Sequence, residues 1–329
     1  MAEFRLDFEK PIVELENKLK ELVRISESNK MDMSEEINLI NQKINHLMLT
    51  TYANLTPWQR VQMARHPERP YMLDYIERIF TNFVELHGDR RFKDDNAVVG
   101  GFAKLDDRKV MIIGTQKGRD MRSNMMRNFG WPHPEGYRKA LRLMKLANKS
   151  NTPIITFIDT PGAFPGIASE ERHIGEAIAV NLRDMFSFTV PVVAVIVGEG
   201  GSGGAIGIGV GNKVLIMENA YYSVITPEGC AAILWKDRKF APQAAEALKL
   251  TAEKLMELGI ADEIIREPLG GAHRNPDQAA AFLKASLLKN LATFADMTPE
   301  AIKQQRYDKF RAMGKFEQLT AADTVSEQA

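Results

Sequence analysis

Residues 153–166 read PIITFIDTPGAFPG and residues 190–204 read VPVVAVIVGEGGSGG, so two apolar strands each run into a glycine-rich loop. A stretch with helical character, Ser169 to Phe186, separates them. Continuous apolar strands that alternate with helices predict parallel pairing in an α/β sheet that is covered on both faces. Val190 to Val197 and Pro153 to Asp159 are the predicted strands, and 198–204 is predicted as a loop.

The residues before this segment predict helices and then a β-hairpin. Two heptad-like stripes predict an N-terminal helical hairpin, and they consist of Phe8, Ile12, Leu15, Leu19 and Leu22, then Ile37, Ile40, Ile44 and Leu47. This hairpin is either a subunit-binding arm or a cap on its own domain. A further helix is predicted from Tyr71 to Leu86, and apolar runs at 98–105 and 110–115 predict the β-hairpin.

The rest of the chain completes a three-part division. A helix is predicted over 135–149, strands over 214–217 and 222–225, and mostly helices from Glu228 onward. We therefore expect an N-terminal helical region at 1–95, a main α/β domain at 96–315, and a polar tail at 316–329 that is disordered.

Composition excludes several classes of protein. The 329 residues carry 43 Lys plus Arg and 43 Asp plus Glu, which argues against a general nucleic-acid binder. Cys230 is the single cysteine, which excludes an internal disulfide and a multi-cysteine zinc site. No apolar run approaches the ~20 residues that span a bilayer. We expect no membrane association and a cytoplasmic location.

The glycine-rich segment admits several chemistries. Eight of the 23 glycines lie between Gly198 and Gly211, more than close helix packing alone requires. Gly198, Gly200 and Gly203 fit the dinucleotide-binding pattern, with Glu218 as its acidic residue. The nine residues before Lys213 are too few and too rich in glycine for the crossover helix of that motif.

Two hydrolase interpretations concern the same loops. Ser202 fits G-x-S-x-G, and Asp262 and His273 follow it in the order of a serine hydrolase. Residues 159–162 fit the D-x-x-G of GTPases, but no G-x-x-x-x-G-K-[ST] occurs, so we discard a nucleotide hydrolase. A fourth possibility is an oxyanion hole built from the backbone N–H groups of loops 161–166 and 200–205, which suits thioester enolate chemistry.

Five stretches together closely resemble the carboxyltransferase alpha subunits of bacterial and plastid multisubunit acetyl-CoA carboxylases. They are ARHPERPY (64–71), FIDTPGAFPG (157–166), GEGGSGGA (198–205), PEGCA (227–231) and EPLGGAHRNP (267–276). The likeness extends from about Phe4 to Arg311. One departure follows Arg172, where the family usually has Gly-Gln and this chain has His173-Ile174.

The resemblance implies a crotonase-like (Clp-protease-like) fold of stacked ββα units and half of an active site. It implies an alpha2beta2 heterotetramer in which the beta subunit carries the zinc and most of the acetyl-CoA pocket, so no metal is expected on this chain. It also implies that carboxybiotin arrives on a biotin carboxyl carrier protein and that ATP is used by a separate biotin carboxylase. The expected product is malonyl-CoA for fatty-acid biosynthesis. A non-catalytic scaffold for the beta subunit is the remaining alternative.

The resemblance also implies the site residues. The anion-stabilising donors are the backbone groups of Gly203, Gly204 and Ala205, with Gly162 and Ala163 opposite. Further substrate contacts are expected from Pro161, Phe164, Gly166, Gly200, Gly201 and Ser202. A basic cluster, in which Lys117 and Arg119 are candidate substrate-binding residues beside Arg122 and Arg127, either contacts CoA phosphates or an acidic carrier, or forms a solvated face.

Overall fold

One mixed sheet organises the chain. A computed structural model describes residues 4–29 and 31–314, so the expected disordered tail lies outside the described residues. The strands are β1 (Thr81–Glu85), β2 (Val98–Leu105), β3 (Arg108–Thr115), β4 (Ile154–Thr160), β5 (Val192–Gly201), β6 (Lys213–Met217), β7 (Tyr221–Ser223) and β8 (Glu263–Ile265). Their order is β1-β2-β3-β4-β5-β6-β8, and β7 pairs with the far end of β5.

Helices cover the sheet and form the N-terminal region. They are α1 (Lys10–Asn29), α2 (Ser34–Ala53), α3 (Pro57–Ala64), α4 (Met72–Ile79), α5 (Met121–Met126), α6 (Pro134–Lys149), α7 (Ile167–Glu170), α8 (Ile174–Met185), α9 (Ser202–Ile206), α10 (Pro227–Leu234), α11 (Ala241–Ala247), α12 (Ala252–Glu257), α13 (Pro276–Ala292) and α14 (Pro299–Arg311). Three short 3-10 helices lie at Asp7–Glu9, Asn128–Gly130 and Arg238–Phe240.

The predicted parallel core is confirmed. The strands β3, β4, β5, β6 and β8 pair in parallel, whereas β1, β2 and β3 are antiparallel, as predicted for the β2–β3 hairpin. Every residue of β4 and β5 is buried. Both faces of these strands are buried, which is why apolar and polar residues do not alternate in their sequences.

The predicted helix over 71–86 is wrong in its second half. The helix α4 ends at Ile79, and Phe80 takes extended backbone angles. Residues 81–85 then form β1 and pair with β2. The edge of β2 was open to a further strand, and a tertiary pairing of this kind overrides a local helical pattern. Residues 1–95 are therefore not wholly helical, while the division into three parts stays a prediction.

Two further boundaries differ from expectation. The predicted helix from Ser169 to Phe186 is two helices, because His173 has φ 63° and a left-handed residue cannot continue an α-helix. The predicted loop over 198–204 is wrong, because these residues form the end of β5 and the start of α9. The strand β5 continues to Gly201, because β7 pairs with its end, and α9 begins at once at Ser202.

The predicted helical hairpin is confirmed, and a hydrogen bond joins it to the rest of the chain. Ile12 of α1 packs against Ile40, Ile44 and Met48 of α2. Arg274 donates a hydrogen bond to Glu16 at 2.7 Å, which joins α1 to the loop before α13. Its role as a subunit-binding arm stays a prediction.

A buried ion pair joins two of the family-like stretches. The guanidinium of Arg69 donates from Nη1 to Glu267 at 2.9 Å and from Nε to the carbonyl of Val197 at 2.7 Å. Glu267 also accepts from the backbone N–H groups of Asn219 and Ala272. Both charges are buried and fully hydrogen-bonded, so the pair fixes the chain segments around it in one arrangement.

Two histidines stack beside this pair. The rings of His66 and His273 lie 3.8 Å apart between centroids, with 17° between their planes. Burial lowers the pKa of His66 to about 4 and that of His273 to about 3, and neighbouring arginines act in the same direction. Neither ring nitrogen of His273 has a hydrogen-bond partner. The pair is therefore neutral in the folded protein at neutral pH.

We expect this pair to make stability fall with acid. Above the unfolded pKa of about 6.5, both states hold neutral imidazoles. As the pH drops from there towards the folded values, the unfolded chain takes up protons that the folded chain excludes, so the free energy of unfolding decreases. Thermal unfolding midpoints of the full chain between pH 7.5 and pH 5 measure the slope.

The matched variant is His273→Phe, which keeps the stacked ring and sacrifices no hydrogen bond. Its midpoint should depend less on pH than that of the unchanged chain over the same range. An identical slope in both proteins would show that the stacked pair does not titrate as described.

Candidate active site

The two glycine-rich loops meet at the carboxyl edge of the sheet. Strands β4 and β5 run parallel with Ile158 opposite Ile196, so the loops that follow them emerge side by side. A Cβ atom at Gly201 would lie 2.2 Å from the carbonyl oxygen of Pro161, and one at Gly204 would lie 2.4 Å from the carbonyl carbon of Gly162. The loops thus touch backbone to backbone, a distance that only glycine permits.

A cavity of about 430 Å³ opens between these loops. Its walls are Trp131, Pro161, Gly162, Ala163, Phe164, Pro165, Glu170, Ile174, Gly175, Ile178, Ser202, Gly203, Val224, Ile225 and Thr226. Six of the predicted site residues therefore reach it, namely Pro161, Gly162, Ala163, Phe164, Ser202 and Gly203. The predicted residues Gly166, Gly200, Gly201, Gly204 and Ala205 do not line it.

A second, apolar cavity of about 340 Å³ lies on the other side of Gly203. Tyr222 and Leu255 contribute to its walls, as do Phe310 of α14 and Met313, which follows that helix. Ser202, Gly203 and Val224 line both cavities. The start of α9 therefore borders both cavities.

The available N–H groups are fewer than predicted. An α-helix leaves its first four N–H groups without an internal acceptor, and for α9, whose N-cap is Gly201, these include Gly203 and Gly204 but not Ala205. The N–H of Gly162 donates to Thr160 Oγ1 at 3.1 Å. Among the described residues the N–H of Ala163 has no acceptor. Gly203, Gly204 and Ala163 thus keep N–H groups without an acceptor in the described part of the chain, and of these residues Gly203 and Ala163 line the cavity.

Buried side chains that were not singled out from the sequence contact these loops and the short helix α9 that follows. The hydroxyl of Tyr137 donates to the carbonyl of Gly204 at 3.2 Å. The amide of Asn181 donates to the carbonyl of Gly207 at 3.0 Å. The ring of Trp131 packs on Gly162, where a Cβ atom would lie 2.9 Å from it. The signal available was a polar residue on the buried face of an amphipathic helix, and Tyr137 and Asn181 both fit it.

Lys117 lies beneath the loops rather than in the cavity. Its ammonium donates to Asp159 at 2.7 Å and to Glu199 at 2.9 Å. Burial opposes the charge of Glu199, but the cations of Lys117 and Arg65 outweigh it and lower its pKa to about 2. The two carboxylates likewise hold the pKa of Lys117 above its ordinary value against the effect of burial. The charge of Lys117 is thus neutralised within the chain.

Arg119 is also engaged internally. Its guanidinium donates to the carbonyl of Pro67 at 2.6 Å, pairs with Asp74 and lies 4.0 Å above the ring of Tyr71. It does not line the cavity. Arg127 donates to the carbonyl of Asn96 at 2.8 Å. Lys117, Arg119 and Arg127 are therefore engaged in separate internal contacts, whereas Arg122 is exposed. Substrate binding by Lys117 and Arg119 stays a prediction without support from this geometry.

The residues of the serine-hydrolase alternative do not form a triad. Ser202 is exposed at the cavity with φ 53°, the sharp strand-to-helix turn that its motif suggests. The carboxylate of Asp262 accepts from the N–H of Val214 and pairs with Lys309. His273 stacks on His66. Neither Asp262 nor His273 lines the cavity beside Ser202, so the three residues do not assemble as the predicted triad.

Solved structures share the fold at low sequence identity. Transcarboxylase 12S superimposes with a TM-score of 0.56 and 17% identity, over 78% of this chain and 45% of that one. The beta subunit of geranyl-CoA carboxylase from P. aeruginosa gives 0.54 and 16%, over 75% and 46%. This chain thus spans about half the length of both. The likeness to these carboxyltransferases confirms the predicted crotonase-like fold.

Sequence comparison is more specific. Residues 5–314 match the family model "Acetyl co-enzyme A carboxylase carboxyltransferase-like". The acetyl-coenzyme A carboxylase carboxyl transferase subunit alpha of Thermus thermophilus is 54% identical over 94% of this chain and 98% of its own length. The subunit of the same name from a Geobacillus strain is 56% identical over 94% and 96%. This chain therefore belongs to the family of acetyl-coenzyme A carboxylase carboxyl transferase alpha subunits.

Proposed function

We propose that this chain forms the alpha half of an acetyl-CoA carboxyltransferase, which transfers a carboxyl group from carboxybiotin to acetyl-CoA and yields malonyl-CoA for fatty-acid biosynthesis. The observation that carries the proposal is the cavity between the two loops, where Ala163 and Gly203 present backbone N–H groups that have no acceptor. Family membership supports the same reaction.

The reaction needs donors for negative charge. Carboxybiotin is the substrate that supplies the carboxyl group, and its loss leaves negative charge on the ureido oxygen. The N–H groups of Gly203, Gly204 and Ala163 lie at the junction of the two loops, where the two backbones are in contact. Donors fixed before the reaction cost no reorganisation as charge develops, and each is worth about 3–4 kcal/mol of barrier height.

No side-chain nucleophile or base is required. The proton lost beside the thioester of acetyl-CoA can be taken by the biotin anion itself. The side chains around the cavity agree with this, because its walls are mainly apolar and Glu170 is the one titratable residue among those named above. The role of the chain is then to bind, to orient and to stabilise an anion.

The other half of the site belongs to partners. We propose a beta subunit in an alpha2beta2 assembly, which carries the zinc and most of the acetyl-CoA pocket. A biotin carboxyl carrier protein and an ATP-using biotin carboxylase complete the cycle. Ile167 and Val224, beside the cavity, are 79% and 78% exposed, and apolar side chains so placed favour a protein cover.

The cellular location of the complex is proposed from its role in fatty-acid biosynthesis. None of the helices that the structure describes is both long and apolar enough to cross a membrane. We place the complex in the cytoplasm, where it would meet its carrier protein and acetyl-CoA.

Carboxyl transfer from malonyl-CoA to biocytin tests the proposal. The full chain should be inactive alone and active when co-purified with the beta subunit of the same source. A folded mixture without activity would contradict the proposed reaction, and hydrolase substrates would then be the next assay.

Gly203→Leu should abolish transfer and leave the complex intact. A Cβ atom at Gly203 meets only Ile178, at 3.5 Å, so a side chain fits there and its branches fill the cavity. Assembly is read by size-exclusion chromatography and activity by the biocytin assay. Gly203→Ala is the control, because it adds the Cβ atom alone and should lose much less activity. A chain that serves only as a scaffold would tolerate Gly203→Leu.

Ser202→Ala should retain most of the activity. Asp262 and His273 do not line the cavity with Ser202, and its hydroxyl is not a nucleophile in this scheme. Alanine costs a little stability at a left-handed position, and the unfolding midpoint should be recorded beside the rate. Complete loss of activity in a folded complex would restore the serine-hydrolase alternative.

A further inference from the structure

The parallel ladder between β4 and β5 breaks just below the two loops. Ile158 lies opposite Ile196, but Thr160 lies opposite Gly200. Asp159 therefore faces three residues of β5, of which the last is Glu199. At this irregular point the regular backbone hydrogen bonds no longer fix one strand against the other.

At this point hydrogen bonds from side chains, rather than backbone pairing, join β4 to β5. Asp159 Oδ1 accepts from the backbone N–H of Glu199 at 2.9 Å and from Lys117 Nζ at 2.7 Å. Lys117 Nζ also donates to Glu199 Oε2 at 2.9 Å. A Cβ atom at Gly198 would lie 2.5 Å from the Asp159 carboxylate, so this glycine makes room for it. We call Lys117, Asp159 and Glu199 the ion triad.

The ion triad is buried and surrounded by further charges. Asp159 is 1% exposed and Glu199 is 6% exposed. Arg65 Nε donates to Glu199, and the hydroxyl of Tyr221 donates to the same oxygen at 2.8 Å. The other charged or titratable groups that face the triad are Glu228, Arg69, Tyr71 and Tyr75. Among the described residues, Lys117 is the one cation that contacts both triad carboxylates, so their mutual repulsion is balanced chiefly there.

We infer that Lys117, Asp159 and Glu199 are positioning residues, whose ion triad sets the separation of the loops that present Ala163 on one side and Gly203 and Gly204 on the other. This inference rests on the proposed function. Only Thr160 separates Asp159 from the first loop, and Glu199 directly precedes the second. A change in the distance between these two carboxylates therefore changes the distance between the N–H groups on the two loops. A misplacement of about 1 Å in such a site costs about 100-fold in rate.

Lys117→Met in the full chain, co-purified with the beta subunit, is the central test. The carboxylates then lose their shared cation and repel one another. The kcat for transfer from malonyl-CoA to biocytin should fall about 100-fold while the KM for malonyl-CoA changes little. The kcat of the variant should also rise as the pH is lowered, because an unpaired buried carboxylate takes up a proton more readily and the repulsion disappears. The unchanged complex should lack this rise.

A second variant balances the charge. Lys117→Met with Asp159→Asn removes one cation and one anion and keeps an amide oxygen that can accept from Glu199 N–H. Its kcat should exceed that of Lys117→Met by about tenfold, the coupling expected for residues in direct contact. It also keeps the test decisive if Lys117→Met alone does not fold.

Lys309→Met is the matched control for loss of a buried lysine. Lys309 is 11% exposed and pairs with Asp262, which binds Val214 near the amino end of β6, away from both loops. It should lower the unfolding midpoint but keep the kcat and the pH profile of the unchanged complex.

Three results would overturn the inference: an unchanged kcat in Lys117→Met, the same pH profile as the unchanged complex, or no recovery in the double variant. An unchanged complex without transfer activity would instead refute the proposed function, and the inference with it. The assay of the unmodified complex therefore distinguishes a failure of the inference from a failure of the proposed function.

Discussion

The contact between two backbones governs this structure. No side chain separates the loop after β4 from the start of α9, since Cβ atoms at Gly201 and Gly204 would lie within 2.4 Å of the facing main chain. Such an approach requires two parallel strands to deliver both segments to one edge, and it requires helices on both faces to keep those strands buried. The rest of the fold can be understood as the support for this contact.

Buried charges provide much of that support. The ion triad joins β4 to β5, and the pair formed by Arg69 and Glu267 joins the segment before α4 to the loop before α13. Burying charge costs free energy, and paired charges of this kind add little net stability. What they provide is one permitted arrangement of segments that are distant in sequence. Each charge also has several hydrogen bonds, which is the condition under which such groups are tolerated.

The core of the fold was predictable from sequence because its signals are local. Unbroken apolar runs marked β4 and β5, glycine clusters marked the loops, and a heptad stripe marked the hairpin of α1 and α2. The predictions that failed concern features that the local sequence pattern does not determine. Residues 81–85 form a strand only because β2 offers an edge, and His173 breaks a helix whose sequence pattern is continuous.

The site shows the same division. The sequence predicted a site between the two loops and five residues as backbone donors, but not which of their N–H groups lack an acceptor. Whether Gly162 or Ala163 keeps a free N–H depends on the position of Thr160 Oγ1, which no sequence pattern encodes. The ion triad was hidden for a similar reason. A single acid at the end of an apolar strand indicates a buried charge, but its partner, Lys117, lies on another strand's loop.

The glycines at the loop contact also limit how the gene can change. A substitution at the first or second base of a glycine codon encodes a residue with a Cβ atom or a stop signal. At Gly201 that atom would lie 2.2 Å from the carbonyl oxygen of Pro161. Every single-base change to another amino acid at this codon would therefore place a Cβ atom against the main chain of the facing loop. The valines of β5, by contrast, can change to Ile or Ala through single-base steps that alter the side-chain volume modestly. The loops should therefore be the slowest part of this chain to drift.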